Sequence, residues 1–290
     1  MTFHALALAA RDVLERAGIS QITAAFDVEV LARHILGWDR AAWLARRGET
    51  ATEEFRRAYS ELIARRATRE PVAYIRGVQE FWGRNFEVGP AVLIPRPETE
   101  LIVETVEPFM RDRANVRVVD LGTGSGCIAI TLALEHPGAQ VIATDISAEA
   151  LEVARRNAVR LGASDVEFRH GSLLADVPGP IDLIVTNPPY VARTDRPGLA
   201  PEVRDYEPDA ALFGSDDGVG IIGRILDASR AALRPGAHLV TEIGYGQDDR
   251  VKRVIDDFPE YVLEATVEDL QRIPRVMVLR RAASDRLQPL

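Results

Sequence analysis

Three short stretches carry residues whose types and spacing suit chemistry. The first is DLGTGSG at 120–126, with Gly122, Gly124 and Gly126 in alternation. Glycines at that spacing let a turn adopt positive φ and let a ligand lie against bare backbone, while the next helix presents free N–H groups. The spacing lacks the extra residue of the dinucleotide fingerprint GxGxxG, and no Gly-Lys-Ser/Thr follows, so nicotinamide and ATP sites are demoted. The second stretch is ATDIS, where an apolar run ends at Asp145. An acidic side chain there is placed to accept hydrogen bonds from both ribose hydroxyls of an adenosine ligand. The third is VTNPPYVAR at 185–193. Each has a plainer reading as well: a tight strand-to-helix turn, an aspartate capping its own turn, and a strand that stops in a proline turn.

What decides between these readings is the set of elements that hold the stretches. From about residue 98 onward, VRVVDLG, QVIATD, VEFRHG, IDLIVTN, AHLVTEIG and RVMVLR read as strands. ITLALE, AEALEVARRNAVRLG, GIIGRILDASRAAL and QDDRVKRVIDDF read as the helices between them, with Ser147 an N-cap and Glu149 in the first turn after it. Such alternation makes an α/β fold, a doubly wound parallel sheet with helices on both faces. In that architecture the first and fourth strands are neighbours at the switch point, and ligands bind off their carboxyl ends. The glycine turn and NPPY are therefore expected to face each other across one crevice.

Ahead of this lies a different pattern. Residues 3 to about 70 read as helices, with Leu6, Ala9, Ala10, Val13, Leu14 and Ala17 at helical spacing before Gly18, and Val30, Leu31, His34 and Ile35 before Gly37. A third helix starts at Thr52 as N-cap, has Glu53 and Glu54 in its first turn, and buries Phe55, Tyr59, Leu62 and Ile63. Between 71 and 97, Gly77, Gly83, Gly89, Pro90, Pro95 and Pro97 punctuate short extended pieces, which suits a hairpin connector. The expected organisation is a small helical domain at 1–70, a β-hairpin connector at 71–97 and the α/β domain at 98–282.

Bulk properties narrow the function. The 290 residues are 47% hydrophobic and 27% charged, enough for a substantial core. A net charge of -9 argues against affinity built on phosphate neutralisation, and no basic, aromatic-interleaved stretch marks a nucleic-acid partner. Lys252 is the single lysine, which says more about coding bias than binding. One cysteine, Cys127, excludes an intrachain disulfide and suits a reducing cytoplasm. His4, His34, His136, His170 and His238 are scattered, so no metal site is expected. The opening MTFHALALAARDVLERAG carries Arg11, Asp12, Glu15 and Arg16, and reads as a helix rather than a targeting signal. No run of eighteen apolar residues occurs, so no membrane span is expected.

Taken together, VVDLGTGSG, ATDIS and NPPY resemble the class I S-adenosylmethionine-dependent methyltransferases, in the branch that methylates planar amino or amide nitrogens. The resemblance implies a seven-stranded sheet with the last strand antiparallel. NPPY is shared there by exocyclic-amine and glutamine methyltransferases. The segment PVAYIRGVQEFWGRNFEV with VLIPRPETE, and the later EVRDYEPDAALFGSDDG, resemble the release-factor glutamine N5-methyltransferases, and this likeness covers nearly the whole chain. It implies methyl transfer from S-adenosyl-L-methionine to the glutamine of the GGQ motif in class 1 peptide chain release factors. A ribosomal-protein glutamine methyltransferase and a nucleic-acid adenine methyltransferase remain as alternatives.

Carried over by position, the resemblance has Gly122, Thr123, Gly124, Ser125 and Gly126 hold the methionine part of the cofactor and Asp145 its ribose. Asn187, Pro188, Pro189 and Tyr190 would hold the substrate glutamine, with Asn187 also near the cofactor. An amide nitrogen is a poor nucleophile because its lone pair is delocalised. The Asn187 side-chain oxygen and the Pro188 carbonyl would bind the NH₂ by its hydrogens, stiffened by the restricted φ of Pro188 and Pro189. Tyr190 would stack on the flat group. Asn187, Pro188 and Tyr190 are thus the implied catalytic residues. Arg96, Glu98 and Glu100 either stand at the mouth of the site or form a salt-bridged helix start. The chain departs from the family at Ser172 and Leu173, where relatives carry an acidic residue and an aromatic near the adenine, and at DLQRIPR, where a glycine-bearing segment is usual.

Overall fold

The computed structural model describes residues 1–111, 113 and 115–283. Contacts divide the chain into two compact units, Met1–Val78 with Ala200–Tyr206, and Gln79–Leu199 with the residues from Glu207 onward.

The first unit begins with α1 (Phe3–Arg16), α2 (Gln21–Leu36), α3 (Arg40–Arg46), α4 (Glu53–Ala67) and α5 (Val72–Arg76). Thr2, Ser20, Asp39 and Thr52 cap the first four, each side chain accepting the N–H three residues on. Such caps satisfy donors that a helix leaves unpaired at its start. Leu14, Leu31, Trp43, Phe55, Tyr59 and Ile63 form the core. The segment read as extended at Val72–Arg76 is instead a helical turn. Pro71 starts it, Gly77 at φ 70° ends it, and Ala73, Tyr74 and Ile75 are buried; the proline and glycine bracket one turn of helix where a hairpin was expected.

The hairpin itself is β1 (Val78–Phe81) and β2 (Arg84–Glu87). The second unit continues with α6 (Glu100–Met110), β3 (Arg117–Leu121), α7 (Cys127–Glu135), β4 (Gln140–Asp145), α8 (Ala148–Leu161), β5 (Glu167–His170) and β6 (Ile181–Thr186). After α9 (Pro201–Arg204), which belongs to the first unit, come α10 (Asp209–Leu212), α11 (Gly220–Ala232), β7 (Leu233–Glu242), α12 (Asp248–Asp256), β8 (Tyr261–Glu268) and β9 (Pro274–Arg281).

Seven strands form one sheet in the order β5-β4-β3-β6-β7-β9-β8. The first five run parallel, and β9 is antiparallel to both neighbours. This is the doubly wound, seven-stranded sheet with its last strand antiparallel that the resemblance implies, with separate apolar clusters on its two faces. All six residues of β6 are buried, as expected of a strand covered on both sides. Six of these strands read from sequence, five as apolar runs and the edge strand β5 without a buried residue. The seventh, β8, is the opposite edge strand with one buried residue, Tyr261, and two glutamates, and was not read as a strand.

Register sets the site. Leu121 pairs with Thr144 on one side and Thr186 on the other, so the carboxyl ends of β3, β4 and β6 stand level. The Thr186 hydroxyl donates to the Leu121 carbonyl at 2.8 Å and ties two of these ends together.

The first unit also buries charge. Arg66 Nε donates to Asp27 Oδ2 at 2.7 Å, with the two side chains 3% and 7% exposed. Arg66 Nη2 meets Glu202 Oε1 at 2.9 Å, and Arg69 Nη2 meets Glu202 Oε2 at 2.8 Å. Burial raises the Asp27 carboxyl above its ordinary range, against the pull of Arg66. Burial works the same way on Glu202, but hydrogen bonds from Arg69 and Arg66 leave that carboxyl below its ordinary range.

Candidate active site

At the level ends of the strands the chain must turn sharply, and the glycines allow it. The Gly122 and Thr123 N–H groups both donate to the Thr144 carbonyl at 2.9 Å, and Gly124 holds φ 55°. Under the turn lies the carboxyl of Asp120, which accepts from Thr123 Oγ1 at 2.6 Å and from the Ala129 N–H at 3.3 Å. One buried group thus ties β3, the turn and the first helical turn of α7. Burial pushes this carboxyl up to about 7. Its other oxygen, Oδ1, has no hydrogen-bond partner.

Gly126 works differently from its two companions. At φ 82°, a Cβ there would stand 2.7 Å from Ile130 Cδ1 and 3.2 Å from Ala154 Cβ, so this glycine lets α7 and α8 approach.

Asp145 ends β4 beside the turn. Its Oδ2 accepts from the Gly124 N–H and its Oδ1 from the Ser147 N–H, both at 2.9 Å. Each carboxylate oxygen has two lone pairs, so acceptor capacity remains. Burial raises this carboxyl above its ordinary range although backbone donors oppose it. The Gly171 N–H donates to the Asp145 carbonyl, and Thr144 Oγ1 to that of Leu173, which draws 171–173 to the same strand end.

Asn187 follows β6. Its Nδ2 donates to Thr99 Oγ1 at 3.0 Å. The NPPY turn is clamped from 212–214: Gly214 N–H donates to the Pro189 carbonyl at 3.0 Å, Val191 N–H to that of Leu212 at 2.9 Å, and Tyr190 bridges Phe213. A Cβ on Gly214 would stand 2.6 Å from the Pro189 oxygen, which makes glycine the fitting residue there.

These parts enclose one cavity of about 450 Å³. Gly122, Thr123, Gly124, Ser125, Asp145, Asn187, Pro188 and Pro189 line it, so the level strand ends bring eight of the residues singled out from sequence together. Two stand behind the wall. Gly126 packs the helices, and Tyr190 turns away: its hydroxyl donates to Glu242 Oε1 at 3.1 Å and its carbonyl accepts from Gln247 Nε2. A stacking role for Tyr190 was expected; its side chain is half-buried, bonded to Glu242, and does not line the cavity.

The RPETE residues also separate. Arg96 lines the cavity and ion-pairs with the buried Glu207, a partner 111 residues away. Glu100 accepts the Trp82 N–H at 2.7 Å and serves the β1–β2 hairpin. Neither Glu98 nor Glu100 lines the cavity. Ser172 and Leu173 do. Cys127 lines it too, but burial pushes its thiol up to about 12, which denies it a thiolate nucleophile's role.

Sequence reasoning passed over Thr99, Glu242 and the cavity's outer arginines, Arg193 and Arg224. Thr99 lies between two glutamates in PETE, where helix-start charge dominates the reading. Among the described residues no His/Cys/Asp/Glu cluster could hold a metal ion, and no helix is long and apolar enough to cross a membrane.

Comparison with known proteins agrees with this architecture. Residues 97–201 match the family model described as methyltransferase small domain, and residues 6–77 match that described as PrmC N-terminal domain. A release factor glutamine methyltransferase from Koribacter versatilis is 44% identical over 258 residues, spanning 88% of this chain and 91% of that one. One from Neisseria gonorrhoeae is 44% identical over 232 residues, 79% of this chain and 84% of that one. Among solved structures, a methyltransferase from Pyrococcus furiosus shares the fold, with a TM-score of 0.53 at 19% identity over 70% of this chain and 91% of that one. Likeness of this extent to the two sequence relatives, on a methyltransferase sheet, means that the chain belongs to the release factor glutamine methyltransferase family.

Proposed function

We propose that this enzyme transfers a methyl group from S-adenosyl-L-methionine to the side-chain amide nitrogen, N5, of the glutamine in the GGQ motif of class 1 peptide chain release factors, in the cytoplasm. The observation that carries the reading is the placement of Asp145 and Asn187, 42 positions apart in sequence, on one cavity with Gly122 and Gly124.

The cavity's residues suit this methyl donor. A volume of about 450 Å³ lies within the usual range for small-molecule sites. A Cβ at Gly122 or Gly124 would meet nothing within 4 Å, so ligand atoms have access to bare backbone there. When bound, S-adenosylmethionine supplies an electrophilic methyl on a sulfonium. Gly122 to Ser125 would hold its methionine part, with Gly126 seating the helix behind them, and Asp145 would accept from its ribose. Ser172 and Leu173 would border the adenine by shape and apolar contact rather than by charge.

Toward the substrate, Asn187 Oδ1 and the Pro188 carbonyl would accept the two hydrogens of the glutamine amide, leaving its lone pair free for the transfer. Pro189 stiffens that pair, and Tyr190 acts from behind, through Glu242. Rate enhancement then comes mainly from orientation and from acceptors already in place as charge develops on the nitrogen.

The test is to incubate the protein with radiolabelled cofactor and, in separate reactions, a release factor, ribosomal proteins and DNA. Label is expected in the release factor and should vanish when its GGQ glutamine is replaced by alanine. Label confined to ribosomal protein or to DNA overturns the substrate assignment.

A further inference from the structure

Glu242, at the end of β7, is buried together with Thr99, each 2% exposed. Its carboxyl takes two hydroxyl donors, Thr99 Oγ1 on Oε2 at 2.7 Å and Tyr190 Oη on Oε1 at 3.1 Å. Thr99 is also the partner of Asn187 Nδ2 at 3.0 Å. The result is a short chain of hydrogen bonds from a buried acid to the side chain that lines the cavity.

The polarity of that chain follows from the inventory of donors. An ionised carboxylate only accepts. Thr99 has one hydroxyl hydrogen, and that hydrogen is spent on Glu242, so toward Asn187 it can only accept. Asn187 must therefore turn its NH₂ toward Thr99 and its carbonyl oxygen away from it. Asn187 Oδ1 takes no hydrogen bond from any described residue.

We propose that Glu242, acting through Thr99, sets which way round the Asn187 amide sits and so keeps its oxygen available to the substrate NH₂. Both are positioning residues that act through the Asn187 amide; Thr99 lines the cavity and Glu242 stands behind it. The substrate's identity rests on the function proposed above, whereas the amide orientation is a property of the free protein.

Protonation reverses the logic. A neutral Glu242 can donate to Thr99, which frees the threonine hydrogen for Asn187. The amide oxygen is then drawn inward and the NH₂ faces the cavity, a donor opposed to the substrate's donors. Burial pushes the Glu242 carboxyl up to about 7; the hydrogen bonds from Thr99 and Tyr190 and the charge of Arg275 on β9 oppose this, and Glu98 adds to it. Burial, with Glu242 beside it, pushes the Tyr190 hydroxyl far up as well, so Tyr190 stays a donor throughout.

The chain has four asparagines, Asn85, Asn115, Asn157 and Asn187, so ¹⁵N-asparagine labelling gives four side-chain amides, and Asn187→Ala identifies the one of interest. In the wild-type protein that signal is expected to titrate with a midpoint near about 7, and in Glu242→Gln to be flat. Thr99→Val should abolish the titration and Thr99→Ser restore it. With release factor as substrate, the wild-type kcat should fall below the same midpoint, and Glu242→Gln should lose that acid limb. Thr99→Val should lower kcat by about 10- to 100-fold with cofactor Kd within about threefold, and Thr99→Ser should recover most of the rate. An amide signal that ignores pH from about 5 to 9 in the wild type, or Thr99→Val turning over at the wild-type rate, overturns the proposal. An amide that titrates in a protein that leaves release factor unlabelled upholds the orientation device and removes only the substrate assignment.

Discussion

Gly124 and Gly126 stand two positions apart in one motif, and alanine at each should fail in a different way. At Gly126, φ is 82° and a methyl would lie 2.7 Å from Ile130 Cδ1, 3.2 Å from Ala154 Cβ and 3.4 Å from Ala154 Cα. Holding an L-residue in the left-handed region costs about 1–2 kcal/mol. Relieving the overlap in a packed layer adds about 1–3 kcal/mol, toward the low end if the Ile130 side chain rotates. The expected loss is therefore about 2–5 kcal/mol, a large share of the roughly 5–15 kcal/mol that holds a typical domain folded. At Gly124, φ is 55° and a methyl meets nothing within 4 Å, so only the backbone cost of about 1–2 kcal/mol applies. Gly124 lines the cavity and Gly126 does not. Urea unfolding should rank Gly126→Ala clearly below Gly124→Ala, while calorimetric cofactor binding should rank them the other way, with Gly124→Ala weaker by about tenfold or more. Equal unfolding free energies, or Gly124→Ala binding cofactor as the wild type does, would refute the division of labour between the two.

Asn187→Ala should leave cofactor affinity within about tenfold and lower single-turnover methyl transfer by about a hundredfold or more, since it deletes an acceptor for the target NH₂; a wild-type rate contradicts the mechanism. Arg66→Met strands the buried Asp27 carboxylate and should cost about 3–5 kcal/mol in urea unfolding, most of it recovered by adding Asp27→Leu. Failure of the double variant to recover would mean that the bond of Arg66 to Glu202 or its packing, not the Asp27 charge, carries the loss. Asp120 has a folded pKa of about 7, above its unfolded value, so its contribution is fully present below about pH 4 and is lost as pH rises through 7. Asp120→Asn removes that dependence, so the variant-minus-wild-type difference in Tm should be more positive at about pH 8 than at about pH 5. The opposite trend would place the raised pKa elsewhere.

The parts of the molecule that read from sequence are those whose signal is local. The apolar run VRVVDL followed by alternating glycines announces a strand and a tight turn, and the turn does have positive φ at Gly122, Gly124 and Gly126. Thr52 caps α4 because capping needs only residues three apart. What escaped notice is set by strand order or by burial. Val72–Arg76 is too short for helical periodicity to register between Pro71 and Gly77. β8 is half-exposed and charged, so its alternation is blurred. Glu242 reads as one more polar residue at the end of AHLVTE; only the pairing of β7 with β6 brings its carboxyl within reach of Thr99 and Tyr190. Tyr190 was legible as part of a rigid turn, but its hydrogen bond to Glu242 and its closeness to the glycine at 244 were not, because a tetrapeptide contains neither.

Ala200–Tyr206 is a short insert of the second half of the chain that belongs to the helical unit, and through Glu202 it supplies the fourth member of that unit's charge cluster. During synthesis, then, the first 78 residues emerge long before the carboxylate that Arg66 and Arg69 share. A fragment stopping there has two arginines and one acid at its heart. Recombination between relatives faces the same arithmetic: exchanging the amino-terminal helices without the distant seven-residue piece leaves the buried Arg66 with Asp27 alone and takes the shared carboxylate from Arg69, so the two stretches are expected to be inherited as one block.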